Sequence, residues 1–171
     1  SMSSCGVCGK RSISEAMALT PPPSARADRE PWLSLDLIGL LPERMKPLQE
    51  LFQRTGALHA AGIFDPQGEL LCLREDIGRH NAVDKTIGAA LLEELLPLSR
   101  CVLQVSGRVS FEIVQKAYRA GIPAIASVSG ASSLSIRMAR AIDMTLAGFV
   151  RDGKYCLYSR GDCLLNSSQQ G

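Results

Sequence analysis

Between Leu73 and Thr86 the chain runs Arg74-Glu75-Asp76-Ile77-Gly78-Arg79-His80-Asn81-Ala82-Val83-Asp84-Lys85, which brings three cations, three carboxylates, a histidine and an amide into one short stretch. A solvated loop of salt bridges is the bland reading. So many charges are a costly way to build a turn, and a binding site is the better expectation. Arg79 and Lys85, with Arg108 further on, carry charges suited to phosphate oxygens. A repeated motif accompanies them: Val105 to Ile113 and Val128 to Ile136 both read V-S-G-x-x-S-[FL]-x-I, offset by 23 positions. Serine there can cap a helix or donate to an anion, and glycine lets backbone approach a ligand closely. A third chemical feature is Cys5-Gly6-Val7-Cys8-Gly9-Lys10-Arg11, two thiols with cations close behind. Nearby positive charge raises the thiolate fraction, and the thiolate is the nucleophile.

The elements that must position these groups can be read from apolar patterning. Leu70 to Leu73 suits a strand, and Val83, Ile87, Leu91 and Leu95 suit one face of a helix over about 81–96, stopped by Pro97. Upstream, Leu48, Leu51 and Phe52 suit a helix with Gly56 as its stop. Ala57 to Phe64, Asp65-Pro66-Gln67-Gly68 and Glu69 to Leu73 read as strand, turn, strand. Each V-S-G turn follows an apolar run, Cys101 to Val105 or Ala124 to Val128, and opens a helical stripe: Phe111, Val114, Tyr118 in one, Leu134, Met138, Ala141 in the other. Met144 to Val150 and Lys154 to Ser159 form a last strand pair. Successive strand–helix units make parallel pairs with crossovers, so the expected architecture is a three-layer α/β/α sandwich with a mixed sheet. Residues 1–32, with Pro21-Pro22-Pro23, read as a flexible segment carrying the cysteine pair, and 33–171 as one α/β ligand-binding domain.

This topology points helices beginning near Asn81, Ser110 and Ser133 at one sheet edge. Each would bring unsatisfied N–H groups and about half a positive charge. An anionic ligand, a nucleotide or pyrophosphate, follows. The competing account is that Ser106, Ser110, Ser129 and Ser133 are helix caps and nothing more. The pattern is neither a Walker loop nor a G-x-G-x-x-G turn.

Bulk properties exclude several classes. A chain of 171 residues suits one domain, burying about 70% of its unfolded surface. A formal charge of +2 gives no electrostatic case for nucleic acid, and no run is long and apolar enough for a bilayer span. Cys72, Cys101 and Cys156 fall in apolar runs and read as small hydrophobes. Scattered cysteines without a secretion signal suggest a reduced, cytoplasmic protein. The Ser1-Met2 start reads as an expression scar.

For Cys5 and Cys8, four roles compete. A zinc knuckle would need Cys156 and Cys163 at poor spacing. A thioredoxin-type site should follow a strand. A redox-inert tail and a sulfur carrier on a flexible arm complete the set.

The motifs C-G-x-C-G (Cys5 to Gly9), T-G-x-x-H-A-A (Thr55 to Ala61), R-E-D-I-G-R-H-N-A-V-D-K (Arg74 to Lys85), S-G-R-V-S-F-E-I-V-Q-K-A (Ser106 to Ala117) and S-x-x-S-S-L-S-I (Ser129 to Ile136) together resemble the formate dehydrogenase accessory sulfurtransferases. The resemblance runs from Cys5 to about Tyr158. It implies a fold similar to cytidine deaminases and a sulfurtransferase that takes sulfur from a cysteine desulfurase. It implies Cys5 and Cys8 as the persulfide relay, and a molybdenum bis(guanine dinucleotide) cofactor as bound substrate, with a GDP-like ligand as its anionic end. Formate dehydrogenase is the implied recipient and a homodimer the implied assembly; molybdenum and tungsten are not distinguished. The implied cofactor pocket comprises Arg79, His80, Asn81, Asp84, Lys85, Ser106, Gly107, Arg108, Ser110, Phe111, Glu112, Ser129 and Gly130. A cofactor-holding chaperone without cysteine catalysis is the alternative.

Deamination is ruled out on residues. Zinc deaminases need His-x-Glu at one helix start and Pro-Cys-x-x-Cys at the next; this chain has His80-Asn81-Ala82 and Ser106-Gly107-Arg108-Val109, so no zinc is expected. His59 also lacks the glutamate and reads as a core or edge histidine. Two departures from the family stand out: the further N-terminal segment that its members usually carry ahead of the cysteines is missing, which suggests a fragment, and Gly130-Ala131 stands where the family usually has Ala-Pro.

Overall fold

Ser34 opens the first helix by accepting the Leu37 N–H at 3.1 Å, and helix α1 then spans Leu35–Met45. The computed structural model describes residues 30–165; Cys5, Cys8 and the rest of the expected segment up to Arg29 lie outside them. After α1 come a 3-10 turn Lys46–Leu48 and α2 (Glu50–Thr55), which Gly56 ends with φ 66°. Next are β1 (His59–Phe64), β2 (Leu70–Asp76), α3 (Arg79–Leu92), β3 (Val102–Val105) and α4 (Phe111–Arg119). The chain continues through β4 (Ala124–Ser127), α5 (Ser133–Ala141), β5 (Thr145–Arg151) and β6 (Lys154–Ser159).

The strands make a mixed sheet in the order β2-β1-β3-β4-β5-β6. β1 is antiparallel to both β2 and β3, β3–β4–β5 are parallel, and β6 returns antiparallel to β5. On one face Leu37, Ile38, Leu41 and Met45 of α1 bury against Ala60, Phe64, Val102, Ala126 and Ala147. On the other, α3, α4 and α5 cover Ala61, Ile63, Leu103, Val105, Ile125 and Leu146. The three-layer sandwich is the one expected from the alternating patterns.

Details depart from the reading of the sequence. The apolar patterning assigned no element to 35–45; α1 lies there, with Pro42 inside it. α3 starts at Arg79 and ends at Leu92, and its buried face is Ala82, Val83, Thr86, Ala89 and Ala90. Leu91 is 60% exposed, so the leucine stripe was one step out of phase: small residues, not the large ones, meet the sheet. In α5 the buried residues are Ser135, Met138 and Ala139, and Ala141 faces outward. Cys156 is exposed on β6, whereas Cys72 and Cys101 are buried. Among the described residues no helix is long and apolar enough to cross a membrane.

Candidate functional site

Strand direction alone assembles the site. β2, β3, β4 and β5 run the same way, so their C-terminal ends share one rim, and α3 and α4 and α5 begin there. β1 runs oppositely and brings its first residue, His59, to the same rim. The two Ser-Gly turns lie side by side. The Val109 N–H donates to Gly130 O at 3.1 Å, the Ser132 N–H to Val109 O at 3.0 Å, and Val109 bridges Ala131.

The serines do not all cap. Ser106 Oγ accepts the Ala60 N–H at 2.8 Å and lies 3.4 Å from His59 Nδ1. Ser110 occupies the N-cap position of α4 without a side-chain cap bond; its hydroxyl turns to His80 Nε2 at 2.7 Å and Glu112 Oε2 at 3.2 Å. The cap of α5 is Ser132, which accepts the Ser135 N–H, one residue ahead of the expected Ser133. Ser127, beneath both turns, donates to Gly107 O at 2.8 Å and accepts the Ser129 N–H at 3.0 Å.

His80, Ser110 and Glu112 form a closed cluster, with His80 Nε2 3.1 Å from Glu112 Oε2. Burial pulls the His80 pKa down from its ordinary value, against the opposing pull of Glu112. An ionised carboxylate only accepts, so the network assigns the proton to Nε2 and directs the serine hydroxyl at Glu112. Ser110 is therefore not activated as a nucleophile, because His80 has no free lone pair facing it.

Asp76 organises the start of α3. Its carboxylate accepts the Gly78 N–H at 2.9 Å and the Asn81 amide at 3.1 Å, and pairs with Lys85. Those bonds, the lysine first, hold its pKa at about 2. The positive end of α3 is thus partly answered from within the chain. A lowered folded-state pKa contributes stability above the ordinary aspartate range, and that contribution disappears as pH falls through about 2. Acid unfolding followed by circular dichroism should show a shallower loss over this window in Asp76→Asn than in the wild type. Equal slopes would leave Asp76 without a stabilising role.

Lys85 is correspondingly engaged. It lines a groove of about 920 Å³ with Leu48, Leu51, Leu73, Glu75 and Leu92, and none of the turn residues takes part. Asp84 pairs with Lys116 at 2.6 Å. Phe111 is 2% exposed and packs in the helix-side core, so it sets where α4 begins and presents no surface at the rim.

The cations left over are Arg79 and Arg108. Among the described residues neither enters a salt bridge, and Arg79 Nε is buried with no hydrogen-bond partner. An unsatisfied buried donor is costly and marks a place for an acceptor. Both flank Gly107, where an added Cβ would stand 3.0 Å from His59 Nδ1 and 3.4 Å from Arg79 Cβ. Gly107 is thus required for the close approach of three elements. His59 joins the site though it carried no such assignment from the sequence; its only signal was its place in the Thr55 to Ala61 motif. It also lines, with Ser106, Val128, Gln49 and Arg151, a cleft of about 820 Å³ on the α1 side of the rim.

The buried thiols are poor nucleophile candidates. Burial pushes Cys101 up to about 11 and raises Cys72.

Comparison with known proteins bears on the family and the fold. The model of the FdhD/NarQ family matches residues 1–164. A "Sulfur carrier protein FdhD" from Streptomyces avermitilis is 48% identical over 157 residues, 92% of this chain and 55% of that relative. Relatives of the same name from Mycobacterium tuberculosis and Sulfurisphaera tokodaii are each 45% identical, over 94% and 92% of this chain and 57% and 58% of their own lengths. The chain therefore spans a little over half the length of these relatives. A crystal structure from Desulfotalea psychrophila, assigned to a formate dehydrogenase accessory protein, superposes with a TM-score of 0.74 at 27% identity, covering 88% of this chain and 62% of that one.

Proposed function

The chain belongs to the FdhD/NarQ family, and from that premise we propose that it is a sulfurtransferase, a sulfur carrier whose cargo is destined for the molybdenum cofactor of formate dehydrogenase. In this reading a cysteine desulfurase presents a persulfide to the Cys5–Cys8 pair. A thiolate on one cysteine attacks the terminal sulfur; one S–S bond forms as the donor's breaks, with no net oxidation. Lys10 and Arg11 favour that thiolate. The second cysteine's thiolate then attacks the inner sulfur of that persulfide; a Cys5–Cys8 disulfide forms as the S–S bond to the outer sulfur breaks, and the outer sulfur leaves at the sulfide level, its two electrons supplied by the cysteine pair, for the metal of a bis(guanine dinucleotide) substrate lying along the rim. Arg79, Arg108 and the Ser106-Gly107 and Ser129-Gly130 turns hold its phosphates, with His80, Asn81, Ser110 and Glu112 alongside.

The observation that carries the ligand half is the buried, unpartnered Nε of Arg79, a residue whose Cβ lies 3.4 Å from where a Cβ at Gly107 would stand, with exposed Arg108 next in the chain. The sulfur half is supported by the relatives' name and by the residues around Cys5 and Cys8. A homodimer and a cytoplasmic setting belong to the same reading; the free thiols at Cys72, Cys101 and Cys156 suit a reducing compartment.

The test is intact-mass spectrometry after incubation with a cysteine desulfurase and cysteine. One added sulfur atom per chain is expected, and its loss in the Cys5→Ser/Cys8→Ser double variant. No adduct on the wild type, alongside undiminished GDP binding and an adduct on a longer relative run as control, would instead leave a chaperone that only holds the cofactor.

A further inference from the structure

β2 is an outer strand of the sheet, and the direction of its backbone groups follows from β1 beside it. The Ser106 N–H donates to Ala60 O at 3.0 Å and the Ala60 N–H to Ser106 Oγ at 2.8 Å, so Ala60 turns toward β3. Neighbouring residues of an antiparallel strand alternate sides, so Ala61 turns toward β2, and Arg74 opposite it turns back. Leu73 and Glu75 therefore send their N–H and C=O groups out to the free edge. Two contacts agree with this. Arg74 Nη1 donates to Leu73 O at 2.7 Å, and Lys85 Nζ lies 3.5 Å from Glu75 O.

Such an edge is a template for any strand that reaches it, and folds normally cover or blunt it. Here it forms the floor of the groove of about 920 Å³ on the outer side of α3. Leu48 and Leu51 make one wall, and Gly88 and Leu92 of α3 make the other. The three leucines are 49%, 46% and 86% exposed, and a Cβ at Gly88 would meet nothing within 4 Å.

The walls differ in charge. Leu73 packs into the α1-side core, and Glu75, on the same face of β2, gives its carboxylate to the Leu51 and Phe52 N–H groups at 2.8 Å each. Glu50 stands on that wall too. Arg74 has the opposite parity and points to the α3 side, where Lys85 also lies. Among the described residues Arg74 enters no salt bridge. An added strand would thus set one row of side chains against leucines and Glu50, and the other against cations. A second copy of this chain does not fit. The edge is recessed between two walls, so two such grooves would touch wall to wall before their strands came within about 4.8 Å.

We propose that the β2 edge docks an extended segment of a partner protein as a seventh strand, with aliphatic side chains toward Leu48 and Leu51 and a carboxylate at Arg74. Main-chain bonds to Leu73 and Glu75 supply the attachment, and the alternation of side chains supplies the selectivity. This surface is separate from the rim.

Fluorescence anisotropy with a labelled octapeptide of alternating valine and glutamate tests it, beside its valine–lysine counterpart and a backbone N-methylated valine–glutamate peptide. Wild type is expected to bind the first and to bind each of the others about tenfold more weakly or less. Arg74→Glu should reverse the preference between the glutamate and lysine peptides. GDP affinity should be the same in Arg74→Glu as in wild type, which shows the variant folded and keeps the rim out of the result. No binding of the valine–glutamate peptide by wild type overturns the proposal. Equal binding of the N-methylated peptide overturns it in favour of adsorption through side chains alone, and an unchanged preference in Arg74→Glu removes the charge match. A wild-type dimer in sedimentation velocity that Leu92→Lys abolishes and the peptide leaves intact overturns it in favour of a second copy.

Discussion

Phe111→Ala is expected to lose about 3–5 kcal/mol of folding stability, the usual cost of truncating a buried phenylalanine. The ring is 2% exposed at the first turn of α4, within the core that α3, α4 and α5 form against the sheet. Domains of this size have about 5–15 kcal/mol in total, so the variant should unfold at much lower urea, or not accumulate folded at all. Phe111→Leu fills more of the space and should remain folded. Because the ring presents nothing to the rim, that leucine variant should bind GDP as the wild type does. A folded Phe111→Leu with sharply reduced GDP affinity would restore Phe111 to the pocket that the family resemblance implied. Equilibrium unfolding and calorimetry on the same preparations separate the two results.

The second large effect is on ligand binding. Hydrogen bonds to charged groups are worth about 1.5–3 kcal/mol each, so Arg79→Ala or Arg108→Ala should each weaken GDP binding by about tenfold or more. If the two arginines act independently, the double variant should approach the product of the single effects. The wild-type affinity should also fall with added salt, and the double variant's should fall less. Lys85→Ala is the contrast. Lys85 is tied to Asp76 and faces a groove that contains none of the turn residues. It should therefore alter GDP affinity little. A loss in Lys85→Ala as large as in Arg79→Ala would move the ligand to the outer side of α3.

Much of this molecule was legible because its signals are local and repeated. The paired V-S-G segments, one after each of two apolar strands, required neighbouring turns at one edge, and the Val109 bonds to Gly130 and Ser132 realise that. The β1–β2 hairpin and the β5–β6 pair were marked by Gly68 and by Asp152-Gly153, residues that take the left-handed backbone their turns need. What escaped depended on tertiary partners. α1, assigned no element from the patterning, carries Pro42 in its interior and is held by Leu37, Ile38, Leu41 and Met45, which bury against the sheet. The α3 face was misjudged because close helix–sheet packing favours Ala82, Ala89 and Ala90 over leucines, a preference set by the approaching sheet and invisible in the helix alone. Lys85 looked free for a ligand until Asp76, at the end of a strand longer than its apolar core suggested, was seen to hold it. His59 entered by the opposite route: a strand running against its neighbours delivers its first residue where they deliver their last.

The bonds that tie Val109 to Gly130 and Ser132 mean that the two turns behave as a single jaw. Neither lip can open or shift without dragging the other. A guest that settles on one half finds the far half already in place, with little ordering left to do on arrival. Damage to either lip should for the same reason be felt across the whole bite.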